Sequence, residues 1–129
     1  MSLLLDTHVL LALAEDRLDR LPQAIRTALT TGSMMRSASV TSLWEIEIKN
    51  RIGKLPIETP LTRWPDALAS GGIGMLPITL AHVLADIRQE PTTKDPFDRL
   101  LLGVCAAEGL KLVTIDRQLA AHPLAWRPT

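Results

Sequence analysis

The stretch LLLDTHVLLALAED, residues 3–16, decides the fold. Its three leucines carry no polar alternation and read as a short buried strand. From Thr7 to Glu15 the apolar residues recur at helical spacing. A buried strand that runs straight into a helix opens a unit of a parallel sheet. The stretch is apolar enough to raise the question of a leader or a membrane span. It has no basic head, and Asp6 and His8 interrupt it, so neither fits. A cytoplasmic protein with no membrane partner is expected.

The same alternation continues along the chain. Pro22 is expected at the first position of a second helix, which runs to about Thr30, before Gly32. SMMRSASV (33–40) reads as a second strand, and SLWEIEIKNR (42–51) as a helix ended by Gly53. Residues 58–72 form a loop and then a helix whose start Pro65 limits. IGMLPIT (73–79) is a third strand, followed by a helix from Leu80 to about Arg88. After a loop, residues 96–108 form a long apolar helix that Gly109 ends. KLVTID (111–116) is a fourth strand, RQLAAH a helical turn, and LAWR (124–127) a fifth short strand. The expected fold is α/β: one domain over residues 1–129, with a parallel sheet of four or five strands covered on both faces.

Composition narrows the function classes. Fourteen basic residues balance fourteen acidic ones, which argues against coating nucleic acid through bulk charge. One phenylalanine and three tryptophans leave little surface for stacking single strands. The single cysteine, Cys105, lies in an apolar run and reads as buried packing. His8, His82 and His122 form no zinc-type spacing.

The acids carry the chemistry. Ligands of an open parallel sheet bind outside the carboxyl ends of its strands. Asp6 follows the first strand and Asp116 ends the fourth, so both fall on that edge. Glu45 and Asp98 begin helices. Each has a capping alternative worth about 1 kcal/mol. Asp6 and Asp116 sit at strand-to-helix turns, Ser42 to Glu45 is a capping box, and Asp95-Pro96 starts a helix. At about 100° per residue, Asp98 shares its face with Leu101, Leu102 and Cys105, while Asp95 is the natural cap. Glu45 sides with Ile48, Lys49 and Ile52, whereas Glu47 aligns with Arg51 and Lys54 on a solvated, ion-paired face. Four converging carboxylates would repel by on the order of ten kcal/mol, more than four caps return. Such a cluster needs protons or a cation, and all-oxygen ligands favour Mg²⁺ or Mn²⁺.

LLLDTHVLL, SLWEIEIKNRIGKL, DPFDRLLL and LVTIDRQL occur in the order and spacing of PIN domains of the VapC type, toxin ribonucleases of toxin–antitoxin pairs. The resemblance runs from Leu3 to Leu119. It implies a three-layer α/β/α fold and a metal-binding, catalytic set of Asp6, Glu45, Asp98 and Asp116. It implies Thr114 as a hydrogen-bonding partner in the site and Asp95 as an auxiliary, structural acid. It further implies RNA hydrolysis by a metal-activated water, a homodimer, and silencing by a cognate antitoxin. Ala12 replaces a tryptophan common in relatives, and Lys94 a histidine, and neither belongs to the acidic set.

Lys49, Arg51, Lys54, Arg99 and Arg117 lie near these acids and are candidates for RNA phosphates; salt bridging and solvation are the alternative. Arg99 has a further option, neutralising Asp95 or Asp98. The reading that competes with an Mg²⁺ or Mn²⁺ endoribonuclease is a PIN-like module that binds RNA or protein without useful catalysis. A phosphorelay receiver or phosphatase fits poorly, because the first strand ends in DTH without a DxD pair and no phosphate loop is present.

Overall fold

Leu3, Leu4 and Leu5 are fully buried, because the strand they form lies inside a sheet that is covered on both faces. The computed structural model describes residues 2–31 and 33–128. The expected helix stop at Gly32 and the domain ends at Met1 and Thr129 lie outside the described residues. Strand β1 (Ser2–Leu5) pairs in parallel with β2 (Met35–Ser39) on one side and β4 (Lys111–Val113) on the other. Strand β3 (Ile73–Leu76) pairs with β2, so the order is β3-β2-β1-β4. Every pairing is parallel, so all the strands deliver their carboxyl ends to one edge.

Alternation along β1 divides the core. Leu3 and Leu5 join Val9, Leu10, Ile46, Trp64 and Leu68 on one face. Leu4 joins Leu101, Leu102, Val104 and Leu119 on the other. The helices are α1 (Thr7–Ala14), α2 (Gln23–Thr30), α3 (Val40–Arg51), α4 (Trp64–Ser70), α5 (Leu80–Leu84), α6 (Pro96–Glu108) and α7 (Arg117–Ala120). The result is the expected three-layer α/β/α arrangement. Among the described residues, no helix is long and apolar enough to cross a membrane.

Several boundaries differ from expectation. Helix α3 begins at Val40, two residues early, because the Ser39 hydroxyl caps it by accepting from the Thr41 N–H at 3.0 Å. Ser42 to Glu45 is therefore not the capping box. Pro22 sits just before α2 rather than at its first position. Strand β3 stops at Leu76, before Pro77, and β4 stops at Val113 rather than Asp116. Helix α5 ends at Leu84 instead of Arg88: Ala85 turns extended, Ile87 plugs into the core, and Arg88 takes φ 69°. The expected fifth strand is reduced to one parallel bridge, Leu112 to Ala125.

Candidate active site

At the carboxyl edge each strand leads on to a helix, and Asp6 and Asp116 stand at two of those turns. Asp6 leaves β1 and caps α1, accepting from the Thr7 N–H at 2.8 Å. Its own N–H donates to the Val113 carbonyl at 2.9 Å, tying it to the end of β4. Immediately after Val113, the Thr114 hydroxyl donates to Asp6 Oδ2 at 2.6 Å. Asp6 is only 3% exposed, and burial holds its carboxyl above the usual range. The bonds from Thr114 and Thr7 and the field of His8 resist that rise, and Glu45 adds to it.

Glu45 lies one turn and a half into α3 and is 4% exposed. The Thr7 hydroxyl donates to Glu45 Oε1 at 2.7 Å, and Lys49, one turn further on, pairs with Oε2. Behind Thr7 stands the buried Ser42 hydroxyl, 3.0 Å away. Since the single Thr7 hydroxyl proton goes to the carboxylate, Ser42 donates to Thr7. Burial alone would lower the Lys49 ammonium, but its bond to Glu45 and the fields of Asp95 and Asp98 leave it raised.

Helix α6 brings the third acid. Asp95 caps it, accepting from the Phe97 N–H at 2.8 Å, with Pro96 in the first turn and Gly109 (φ 69°) closing the far end. The sequence reading of Asp95 as the cap matches this arrangement. Asp98, in the first turn of α6, is half-buried. Desolvation pushes it up to about 6, against a hydrogen bond from Thr93 and together with the fields of Asp95, Asp6 and Glu45. Trp44 and Phe97 lock α3 to α6 edge to face, with centroids 5.0 Å apart and planes at 78°. That contact holds the helix of Glu45 against the helix of Asp98.

Asp6, Glu45 and Asp98 thus share one electrostatic neighbourhood. Asp116 does not join it: it is exposed, caps α7 through the Gln118 and Leu119 N–H groups at 2.8 and 3.2 Å, and is not among the charges that shift Asp6 or Asp98. Thr114 links it to Asp6, since the Thr114 hydroxyl accepts the Asp116 N–H at 3.1 Å. The four-way repulsion expected from sequence is therefore carried by three acids and Asp95. Among the described residues, no three Asp, Glu, His or Cys side chains are arranged to hold one metal ion together. The donor chemistry nevertheless suits a hard divalent cation, since the donors are all carboxylate oxygens that raise one another.

The basic candidates separate. Lys49 is engaged by Glu45, and Arg51 pairs with Glu47 at 2.7 Å on the solvent face, as its spacing predicted. Arg99 does not neutralise Asp95 or Asp98: it pairs with Glu90 at 3.3 Å and donates to the Ala85 carbonyl at 2.8 Å, bracing the loop after α5. Lys54 and Arg117 are exposed. Ile48 and Ile52, expected inside with Glu45, face solvent at 37% and 60% exposure. The hydroxyls of Thr7 and Thr93 were not singled out from sequence, although Thr7 adjoins Asp6 in DTH and Thr93 stands two residues before a capping acid, and Ser42 was read only as a helix cap.

A parallel α/β sandwich that gathers carboxylates where its strands end presents an acidic ligand edge. The sequence model of the PIN domain matches residues 3–123, and the chain belongs to that family. PIN domains are in general nucleases that use divalent metal ions. No curated protein is significantly similar in sequence. Among solved structures, a chain of a toxin–antitoxin complex from Klebsiella pneumoniae shares the fold: TM-score 0.63, 18% identity, 99% of this chain covered and 98% of that one.

Proposed function

We propose that this chain is a metal-dependent endoribonuclease of the VapC type, the toxin of a toxin–antitoxin pair acting in the cytoplasm. The observation that carries the reading is the placing of buried Asp6 and Glu45, each held by a threonine hydroxyl, and of Asp98 on the adjoining α6, at the carboxyl edge of a PIN sheet. These three would hold Mg²⁺ or Mn²⁺, with Asp116 at the rim. When bound, the ion supplies Lewis-acid polarisation of a phosphodiester and of the water that hydrolyses it. The chain supplies placement. Thr114 fixes Asp6 and Thr7 fixes Glu45, each through a hydroxyl proton. Asp98, with its carboxyl near 6, is released to the anionic form close to neutrality. Lys54 and Arg117 are exposed and suit RNA phosphates.

Purified protein should cut RNA with Mg²⁺ or Mn²⁺ and stop with EDTA, and Asp98→Asn should abolish cutting. Undiminished cleavage by the asparagine variant sinks the assignment. The arrangement of the acids, with no three in place around one ion among the described residues, favours a second reading as a catalytically weak binding module. Calorimetry separates the two: RNA binding without any Mg²⁺ or Mn²⁺ binding supports the module.

The fold likeness to a chain of a toxin–antitoxin complex supports a protein antitoxin as partner. An apolar groove of about 420 Å³ beside His8 and Ile115 adjoins the acidic edge and offers a seat for it. Failure of the neighbouring small gene product to bind or relieve toxicity counts against that partner. Exposed Leu80, Val83 and Leu84 on α5 suit a homodimer, which light scattering at the mass of a single 14.2 kDa chain would rule out.

A further inference from the structure

Both oxygens of the Glu45 carboxylate are taken by the chain itself, and the two bonds differ in kind. Oε1 accepts a proton from Thr7, a buried hydroxyl backed by Ser42 and anchored next to Asp6. Oε2 takes the ammonium of Lys49, a side chain that is 32% exposed on a flexible four-carbon stem. The first bond comes from a neutral donor and is fixed by packing. The second is an ion pair open to water, and a divalent cation offers Oε2 a stronger version of the same interaction.

We infer that Lys49 is the resident counter-ion of Glu45 and is exchanged for the divalent cation, while Thr7 is the positioning residue that keeps the carboxylate in place throughout. This rests on the proposed role of Glu45 as a cation ligand. The ammonium offsets part of the charge that Glu45 brings next to Asp6 and Asp98. It also sets the order of events. The ammonium must leave Oε2 before a cation can use that oxygen, and a displaced Lys49 is then free to meet a phosphate. Thr7 has no reason to move, because its hydroxyl donates to an oxygen the cation does not need.

Calorimetric titration of full-length protein with Mn²⁺ and Mg²⁺, in the absence of RNA, tests both halves. Lys49→Met keeps the apolar stem and removes the competitor, so it should bind metal about fivefold more tightly than wild type. The same variant should melt at lower temperature than wild type in EDTA and recover the difference at saturating metal. Lys49→Arg, which keeps the charge, should bind metal no more tightly than wild type. Thr7→Val should weaken metal binding by about tenfold, and Thr7→Ser should restore it. Unchanged or weaker metal binding by Lys49→Met overturns the exchange, and normal binding by Thr7→Val overturns the positioning role. If wild type binds metal and Asp98→Asn does not, yet the Lys49 and Thr7 variants match wild type, only this inference fails. If wild type binds no divalent ion, the proposed catalytic function fails with it.

Discussion

Replacing Asp98 by asparagine should make the metal-free protein more stable, and by an amount that depends on pH. Asp98 titrates near 3.8 in a solvated chain and at about 6 in the fold. The folded protein therefore binds that proton more tightly than the unfolded chain. Its contribution to stability is complete below about pH 4 and is lost as pH rises through about 6. A shift of about two units would correspond to about 3 kcal/mol for a fully shielded group, at about 1.4 kcal/mol per unit. Asp98 is half-buried, so water screens the charge and the realistic figure is about 1 to 1.5 kcal/mol. Asparagine has nothing to titrate. Its advantage over wild type should thus be larger by about 1 to 1.5 kcal/mol at pH 7 than at pH 4, or about 3–6 °C in Tm for a chain this size. Urea melts of both proteins in EDTA at the two pH values measure the difference directly. Comparing the change with pH also cancels whatever else asparagine alters in the first turn of α6. A gap that stays constant, or shrinks as pH rises, would show that neither burial nor the neighbouring acids raise the Asp98 carboxyl.

Saturating Mg²⁺ should raise the Tm of wild type and leave Asp98→Asn nearly unmoved, a contrast that thermal scans with and without EDTA would show. Thr114→Val removes the hydroxyl that holds Asp6 down, so the acid limb of the pH–rate profile should move to higher pH, with about 1 kcal/mol lost from stability; an unmoved profile refutes the coupling. Asp95→Ala should cost about 1 kcal/mol through the lost cap of α6 while leaving metal titration in place. At Gly103 an added Cβ would meet the His82 carbonyl where α5 crosses α6, so Gly103→Ala should destabilise by about 2–3 kcal/mol in denaturant melts.

Local rules made the central strand, the α6 helix with its Asp95-Pro96 start and Gly109 stop, and the edge on which Asp6 falls legible in the sequence. Each depends on neighbours in the chain: an unbroken apolar run, a cap followed by proline, a glycine with positive φ. The start of α3 was ambiguous, because Ser39 and Ser42 are both competent caps and only the end of β2 selects the first. The early end of α5 depends on Ile87 finding a place under α6, which no periodicity within residues 80–88 records. In the site, residue types were readable and partners were not. Thr7 reaches Glu45 across 38 positions, and Thr114 reaches Asp6 across 108. Arg99 follows a site acid in sequence, yet its side chain is drawn away by Glu90 and the Ala85 carbonyl.

The single bridge between Leu112 and Ala125 has a bearing on self-association. β4 is the last strand on its side of the sheet, and an open strand edge is a template for pairing with another copy. Here the Leu112 N–H donates to the Leu124 carbonyl at 2.9 Å, and the Trp126 N–H returns to the Leu112 carbonyl at 2.8 Å. Those partners lie just past residue 123, where the family match ends. A chain trimmed to the family's own boundary would keep every acid and lose the selvedge of its sheet, and would be expected to aggregate rather than merely to weaken.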